Sequence, residues 1–519
     1  MELDRNKNNF LTKYFKIYIW QFISMVTNLG SMFIVLPFLT VNQELYGIYA
    51  IVISLSIFFS YADIGFIFSA QKYAAESYIK NNRLDELKAV GFSIFFTSGV
   101  ILFFCFLLGI VVNNPELIIK NGSLNYQNLI ISKKLFLILI VAALLTVPLK
   151  LCQLIFAVRL EEYIMQKINI CANILRLLSI FFLFSNGKYL IVEYFALIQF
   201  LNIAVVFICF YLIKKNYSIS LKDIIPHFKF DKDQFKKTSY LAFSGFYIMV
   251  IWIIYYELDQ IFIGKLVGSS EVAIYAIGFS LLSFTRGLLG ILYSPFNHRF
   301  NYFTGLNDFD GLKKYYNNVV INLSPIIIGF IFSFYLFMNN LVISWVGFSF
   351  EKSVIIAQLL ILCNFFAFIS YPTSMLLKAL VKLKKFNIFY TCMPFIFFCT
   401  VYFGFEKYGI SIFGFSKLLI FCLVALFYTI FYTKYLNKKI NSFLNIYLFS
   451  HIISFLFLIV YYNIAVDYLP LGKSPINLFI VLLTILGGII IYYLSYFLFN
   501  PSCRKYFFER VNFLIQSIQ

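Results

Sequence analysis

Charge is scarce in this sequence. Only 13% of its 519 residues are Asp, Glu, Lys or Arg, about half of the roughly 25% found in a water-soluble chain. Hydrophobic residues make up 61%, which excludes an ordinary soluble domain. Histidine is almost absent. His227, His298 and His451 stand apart, and none has a Cys, Asp or second His at ligand spacing, so no metal site is expected. The nine cysteines are scattered, with Cys105, Cys152, Cys171, Cys209 and Cys363 inside apolar runs and no Cys-x-x-Cys anywhere. They read as small packing residues. There is no P-loop, no Gly-x-Ser-x-Gly and no His-Glu-x-x-His. No ATP hydrolysis, catalytic residue or cofactor is therefore expected. Long connections are missing too, so no loop could fold as a globular domain.

What the chain does have is apolar runs of about twenty residues, each long enough to cross roughly 30 Å of hydrocarbon as a helix. We read about fourteen spans: 17–39, 46–70, 89–112, 134–157, 169–186, 189–213, 239–263, 271–296, 317–338, 354–377, 387–404, 409–433, 444–464 and 476–499. The segments are continuously apolar, whereas a barrel strand would alternate over about ten residues. The fold class is therefore an all-α membrane protein. Orientation follows from charge. With both termini in the cytoplasm, the inside connections hold 30 Lys and Arg and the outside ones eight, and the bias holds loop by loop, as the positive-inside rule requires. The net charge of +19 is thus a topology signal, not a nucleic-acid footprint. The first run lacks a small-residue cleavage site and reads as a retained span.

The pattern Ile-Tyr-Ala-Ile-x-x-Ser-Leu occurs twice, at Ile48–Leu55 and Ile274–Leu281, 226 residues apart. Each copy opens the second span of a six-span unit. Tandem units enclosing a central cavity are a common transporter plan. The expected organisation is an N-terminal lobe over 1–213, a basic linker over 214–238 and a C-terminal lobe over 239–433. An appended pair of spans and a tail occupy 434–519. The linker, with its single Pro226, suits an interfacial segment on an anionic leaflet.

Charges inside spans are expensive and by default functional. Four cations lie there: Lys150, Arg176, Arg286 and Lys417. Counting residues to the nearest inner-edge charge at 1.5 Å each puts the first three roughly 13–20 Å deep, with Lys417 nearer the outer face. Asp63 stands at the same depth and is the available acid. Two readings remain open: a water-filled cavity lined by cations, or structural ion pairs. A guanidinium fork or an ammonium in such a cavity would take an anionic guest. The candidate binding residues are Lys150, Arg176, Arg286, Asp63 and Lys417.

The stretch Glu44–Glu76 contains Tyr46-Gly47-Ile48-Tyr49, then Asp63-Ile64-Gly65, then Tyr73-Ala74-Ala75-Glu76. It resembles the second-span region of Wzx-type O-antigen and exopolysaccharide flippases. These belong to the multidrug/oligosaccharidyl-lipid/polysaccharide exporter superfamily. Leu258–Lys265 followed by Glu271–Tyr275 fits the second lobe, and the resemblance covers roughly residues 10–435. It implies translocation of an undecaprenyl-diphosphate-linked oligosaccharide from the cytoplasmic to the periplasmic leaflet of a bacterial inner membrane. It also implies a cationic central cavity, contact with membrane lipids, and a polysaccharide polymerase and chain-length regulator as further partners. One departure concerns Ile17–Leu39, which has no acid, whereas drug exporters of the superfamily commonly carry one in span one. An exporter of another lipid-linked precursor or of drugs is the alternative within this fold. A membrane polysaccharide polymerase is a further alternative, but would be expected to carry a large outer loop.

Overall fold

A computed structural model describes residues 2–120, 122, 125–185, 187–305, 308–379, 383–436, 439–501 and 503–505, with the backbone alone at some positions. The His298 side chain and the expected tail beyond 505 lie outside the described residues. The chain is all-α, with no strand among the described residues. Thirteen described helices are long and apolar enough to cross a membrane, so this is a multi-pass membrane protein.

Two compact units divide the chain at Met1–Ala273 and Ile274–Gln519. The first contains α1 (Glu2–Leu39), α2 (Gln43–Ser60), α3 (Phe66–Ile79), α4 (Arg83–Asn113), α5 (Tyr126–Val158), α6 (Glu162–Leu183), α7 (Ile191–Tyr217), α8 (Leu221–Ile224), α9 (Lys232–Tyr256) and α10 (Asp259–Leu266). Helix α11 (Ser269–Gly305) opens in this unit and continues into the second. The second goes on through α12 (Phe309–Leu336), α13 (Met338–Val346), α14 (Ser353–Ala379), α15 (Leu383–Tyr408), α16 (Ser411–Leu436), α17 (Ile440–Tyr447), α18 (Ile452–Ala465) and α19 (Pro475–Phe499). The expected seventh span, 239–263, falls on α9 and α10, which part at Glu257 and Leu258.

Local chemistry starts and stops these helices. Asn42, Asn82 and Asn125 cap α2, α4 and α5 by accepting from the backbone N–H three residues on, satisfying donors the first turn leaves open. The first unit closes over small residues. Ala70, Ala74, Cys152 and Cys209 are buried with Phe156, Leu154 and Ile155 in one core, and all nine cysteines are free.

The two motif glycines have steric reasons. A Cβ on Gly47 would stand 1.8 Å from the Ser269 carbonyl oxygen, so only glycine lets α2 lie against the start of α11. Gly65 has a φ of 77° and would put a Cβ 2.6 Å from the Ala242 carbonyl oxygen. It needs both the left-handed conformation and the missing side chain. The sequence repeat is also a packing repeat. Tyr49 meets Phe195 of α7 edge-on at 5.7 Å and 90°. Its counterpart Tyr275 meets Phe413 of α16 at 6.3 Å and 71°.

Candidate functional site

The expected span 46–70 is two helices, not one. Between the end of α2 at Ser60 and the start of α3 at Phe66, Ile64 takes a φ of 48° and Gly65 one of 77°. A β-branched residue in the left-handed region is strained, and Asp63 sits directly before it. Lys150, two residues after Pro148 in α5, reaches into this break. Its Nζ lies 3.6 Å from Asp63 Oδ1 and donates to the Ser60 carbonyl at 2.7 Å. One ammonium thus neutralises an acid and caps the carbonyl end of α2, where the helix dipole favours a cation.

Arg176 is held differently. It stands near the middle of α6, and among the described residues no carboxylate lies within salt-bridge distance of it. Its guanidinium donates to amide oxygens instead: Nη1 to Asn173 Oδ1 at 3.0 Å and Nη2 to Asn202 Oδ1 at 2.5 Å. Each amide passes the polarity on. Asn173 Nδ2 donates to Asn28 Oδ1 at 2.6 Å, and Asn202 Nδ2 donates to Gln199 Oε1 at 2.9 Å. The oxygens point at the cation and the amino groups away from it, along two branches reaching α1 and α7. Dipoles aligned in this way solvate a charge without cancelling it. Arg176 Nε is buried with no hydrogen-bond partner.

The four amides are the part of the site that a search for ionisable residues passes over. A signal was present, because Asn173 and Arg176, and Gln199 and Asn202, are polar pairs at i, i+3 within the spans. That spacing places each pair on one face.

In the second unit, Arg286 of α11 lays its guanidinium carbon 5.5 Å from the Phe421 ring centroid. Lys417 is fully buried near the start of α16. Its Nζ meets the Tyr275 hydroxyl at 3.2 Å and stands 5.0 Å from the centre of Phe279 and 5.9 Å from that of Phe397. Aromatic faces this close to a buried ammonium contribute to holding its charge. The tyrosine of the sequence repeat therefore touches a cation in this unit.

A second polar group gathers where the basic connections of the first unit converge. Arg159, the C-cap of α5, pairs with Glu86 at 2.6 Å, both buried. Its guanidinium carbon sits 4.8 Å from the Tyr78 ring and 4.8 Å from the Tyr217 ring. Lys13 of α1 pairs with Glu161 at 2.7 Å, and Tyr217 also donates to Glu161. Burial pushes the Glu161 carboxyl up, but hydrogen bonds from Lys13 and Tyr217, and the charges of Lys13 and Arg159, hold it below its ordinary value. A depressed folded pKa gives stability that is present above the unfolded value, about 4.3 for Glu. That stability is lost as pH falls through the folded pKa. Glu161→Gln should therefore lower the thermal midpoint at pH 7 and converge on wild type only as pH falls through the depressed folded pKa. Equal midpoints at pH 7 would show that this tether of α1 contributes nothing.

No family model and no curated protein matches the chain. Solved structures do. Lipid II flippase MurJ in an inward closed conformation superposes with a TM-score of 0.64 at 17% identity, covering 93% of this chain and 98% of that one. An inward-facing multidrug resistance MATE family transporter of the MOP superfamily gives 0.60 at 10% identity, covering 82% and 98%. A MOP superfamily transporter from Pyrococcus furiosus gives 0.50 at 10%, covering 82% and 96%. The chain has the MurJ/MATE-like fold.

Proposed function

We propose that this protein is a flippase for a lipid-linked oligosaccharide. Its cargo would be an undecaprenyl-diphosphate-linked repeat unit of an O-antigen or exopolysaccharide, moved from the cytoplasmic to the periplasmic leaflet of a bacterial inner membrane. The observation that carries this reading is Arg176, a cation in mid-helix supported by neutral amides and by no acid. A bare diphosphate would face a prohibitive desolvation cost in hydrocarbon, and a guanidinium fork matches its oxygens. The fold it shares with a lipid II flippase supports the substrate class. Lys150 is bound to Asp63 and becomes available to a headgroup only when that pair opens. Arg286 and Lys417 are the cations the second unit would contribute during alternating access.

A drug exporter shares the fold, yet residues 17–39 lack the acid expected of that branch. Proteoliposomes carrying a fluorescent polyprenyl-diphosphate sugar separate the two readings. Protein-dependent exposure of the headgroup to quencher on the far leaflet is expected, with no protein-dependent efflux of cationic dyes. Dye efflux without headgroup movement would overturn the assignment.

A further inference from the structure

The polar group around Arg159 borders a cleft of about 350 Å³ in the first unit. We propose that this cleft binds the phosphate of an anionic inner-leaflet lipid, at a site separate from Arg176 and independent of what the protein transports. Its floor is the buried Arg159–Glu86 pair, and its walls include Arg83, Asn81, Asn216 and Tyr217. The floor contributes no net charge, so the sign of the cleft is set at the rim. There Arg83 is exposed and donates to the Ser218 carbonyl, and next in sequence to the lining asparagines stand Lys80, at the C-cap of α3, and Lys214 and Lys215, in the last turn of α7. The acids nearby are outnumbered by these cations. Glu86 is held by Arg159, Asp85 lies 3.9 Å from Lys88, and Asp223 is bonded to Ser220 while lying near Arg83. The basic excess, with two asparagine amides able to donate, fits phosphate oxygens.

Apolar side chains decide between a lipid and a soluble phosphate. Ile79 is 79% exposed and Leu84 55% exposed, flanking Asn81 and Arg83 in sequence where α3 ends and α4 begins. Tyr78 is 44% exposed beside them. Large apolar groups next to exposed arginine and lysine belong at the headgroup level, where acyl carbons cover the former and phosphate meets the latter. A soluble phosphate would leave Ile79 and Leu84 in water. Basic pockets between transmembrane helices at the cytoplasmic end are general sites for such headgroups. The Lys- and Arg-rich connections converge at this end.

The test is native mass spectrometry of the purified full chain titrated with phosphatidylglycerol and, separately, phosphatidylcholine. Wild type should retain phosphatidylglycerol in preference. The double variant Arg83→Ala/Asn216→Ala should weaken that retention about tenfold, the scale of one lost charge-assisted contact. Lys352→Ala, a basic residue in an outer connection, should change nothing. Both cleft residues are exposed, and unchanged thermal unfolding in neutral lipid would show that the variant still folds. Retention equal to wild type would overturn the proposal. Displacement of phosphatidylglycerol by inorganic phosphate would also overturn it, in favour of a soluble phosphate.

Discussion

Arg176→Ala is expected to abolish headgroup translocation while leaving the protein folded and in the membrane. The side chain holds no acid in place, so removing it strands no buried counter-charge. It leaves four amides that can bond to one another or to water. What is lost is the cation. A charge-assisted hydrogen bond is worth about 1.5–3 kcal/mol, and a fork engaging a diphosphate makes two, so a loss of about a hundredfold or more in rate follows. Arg176→Lys keeps the charge but cannot donate to Asn173 and Asn202 while also presenting a planar edge. It should retain a measurable fraction of activity. Asn202→Ala removes only one support and should sit between wild type and Arg176→Lys. The order of the three variants matters more than any single value. If Arg176→Ala transported at the wild-type rate, the guanidinium would be a packing residue and the proposed function would lose its carrier.

Large parts of this fold were legible because hydrocarbon permits so little. A chain that must bond every backbone group internally crosses a bilayer as helix or barrel, so the runs around 89–112 and 476–499 could be little else. Their counterparts α4 and α19 follow them closely. The break after Ser60 was harder to see. Asp63, Ile64 and Gly65 stand in an otherwise apolar run, and one acid with one glycine is compatible with a continuous helix. What holds the break is tertiary: Lys150 arrives from α5 to hold the Ser60 carbonyl, and the Ala242 backbone lies so close that Gly65 has no room for a Cβ. Neither is a local property of the second span. The equal depth of Asp63 and Lys150 was readable, and the structure brings them together. The amides around Arg176 escaped a reading that weighted formal charge, although asparagine in hydrocarbon also needs partners. Glu86 escaped for the opposite reason. It lies in a connection rich in both signs, where a solvated charge is the ordinary outcome, and only the fold shows it to be buried.

That burial makes Glu86→Ala the most damaging single change to stability we expect in the first unit. The pair is enclosed, with side-chain exposures of 6% for Arg159 and 4% for Glu86, so solvent screening gives little relief. Removing one member of a buried pair leaves an uncompensated charge and costs about 3–5 kcal/mol. Arg159 cannot escape by rotating outward, because Tyr78 and Tyr217 cover it and Nη1 is bound to the Ile155 carbonyl. Replacing both members removes the charges together, so Glu86→Leu/Arg159→Met should be far less harmful than either single change, with the flexible thioether filling the space between the rings. Thermal midpoints in detergent would then rank wild type first, the double variant close behind, and Glu86→Ala well below. Whatever Glu86→Ala protein does fold should translocate headgroups at the normal rate per molecule, since the pair lies apart from Arg176 and its amides. A midpoint for Glu86→Ala equal to wild type would mean that Arg159 is already solvated, and the floor of the proposed lipid cleft would be open to water.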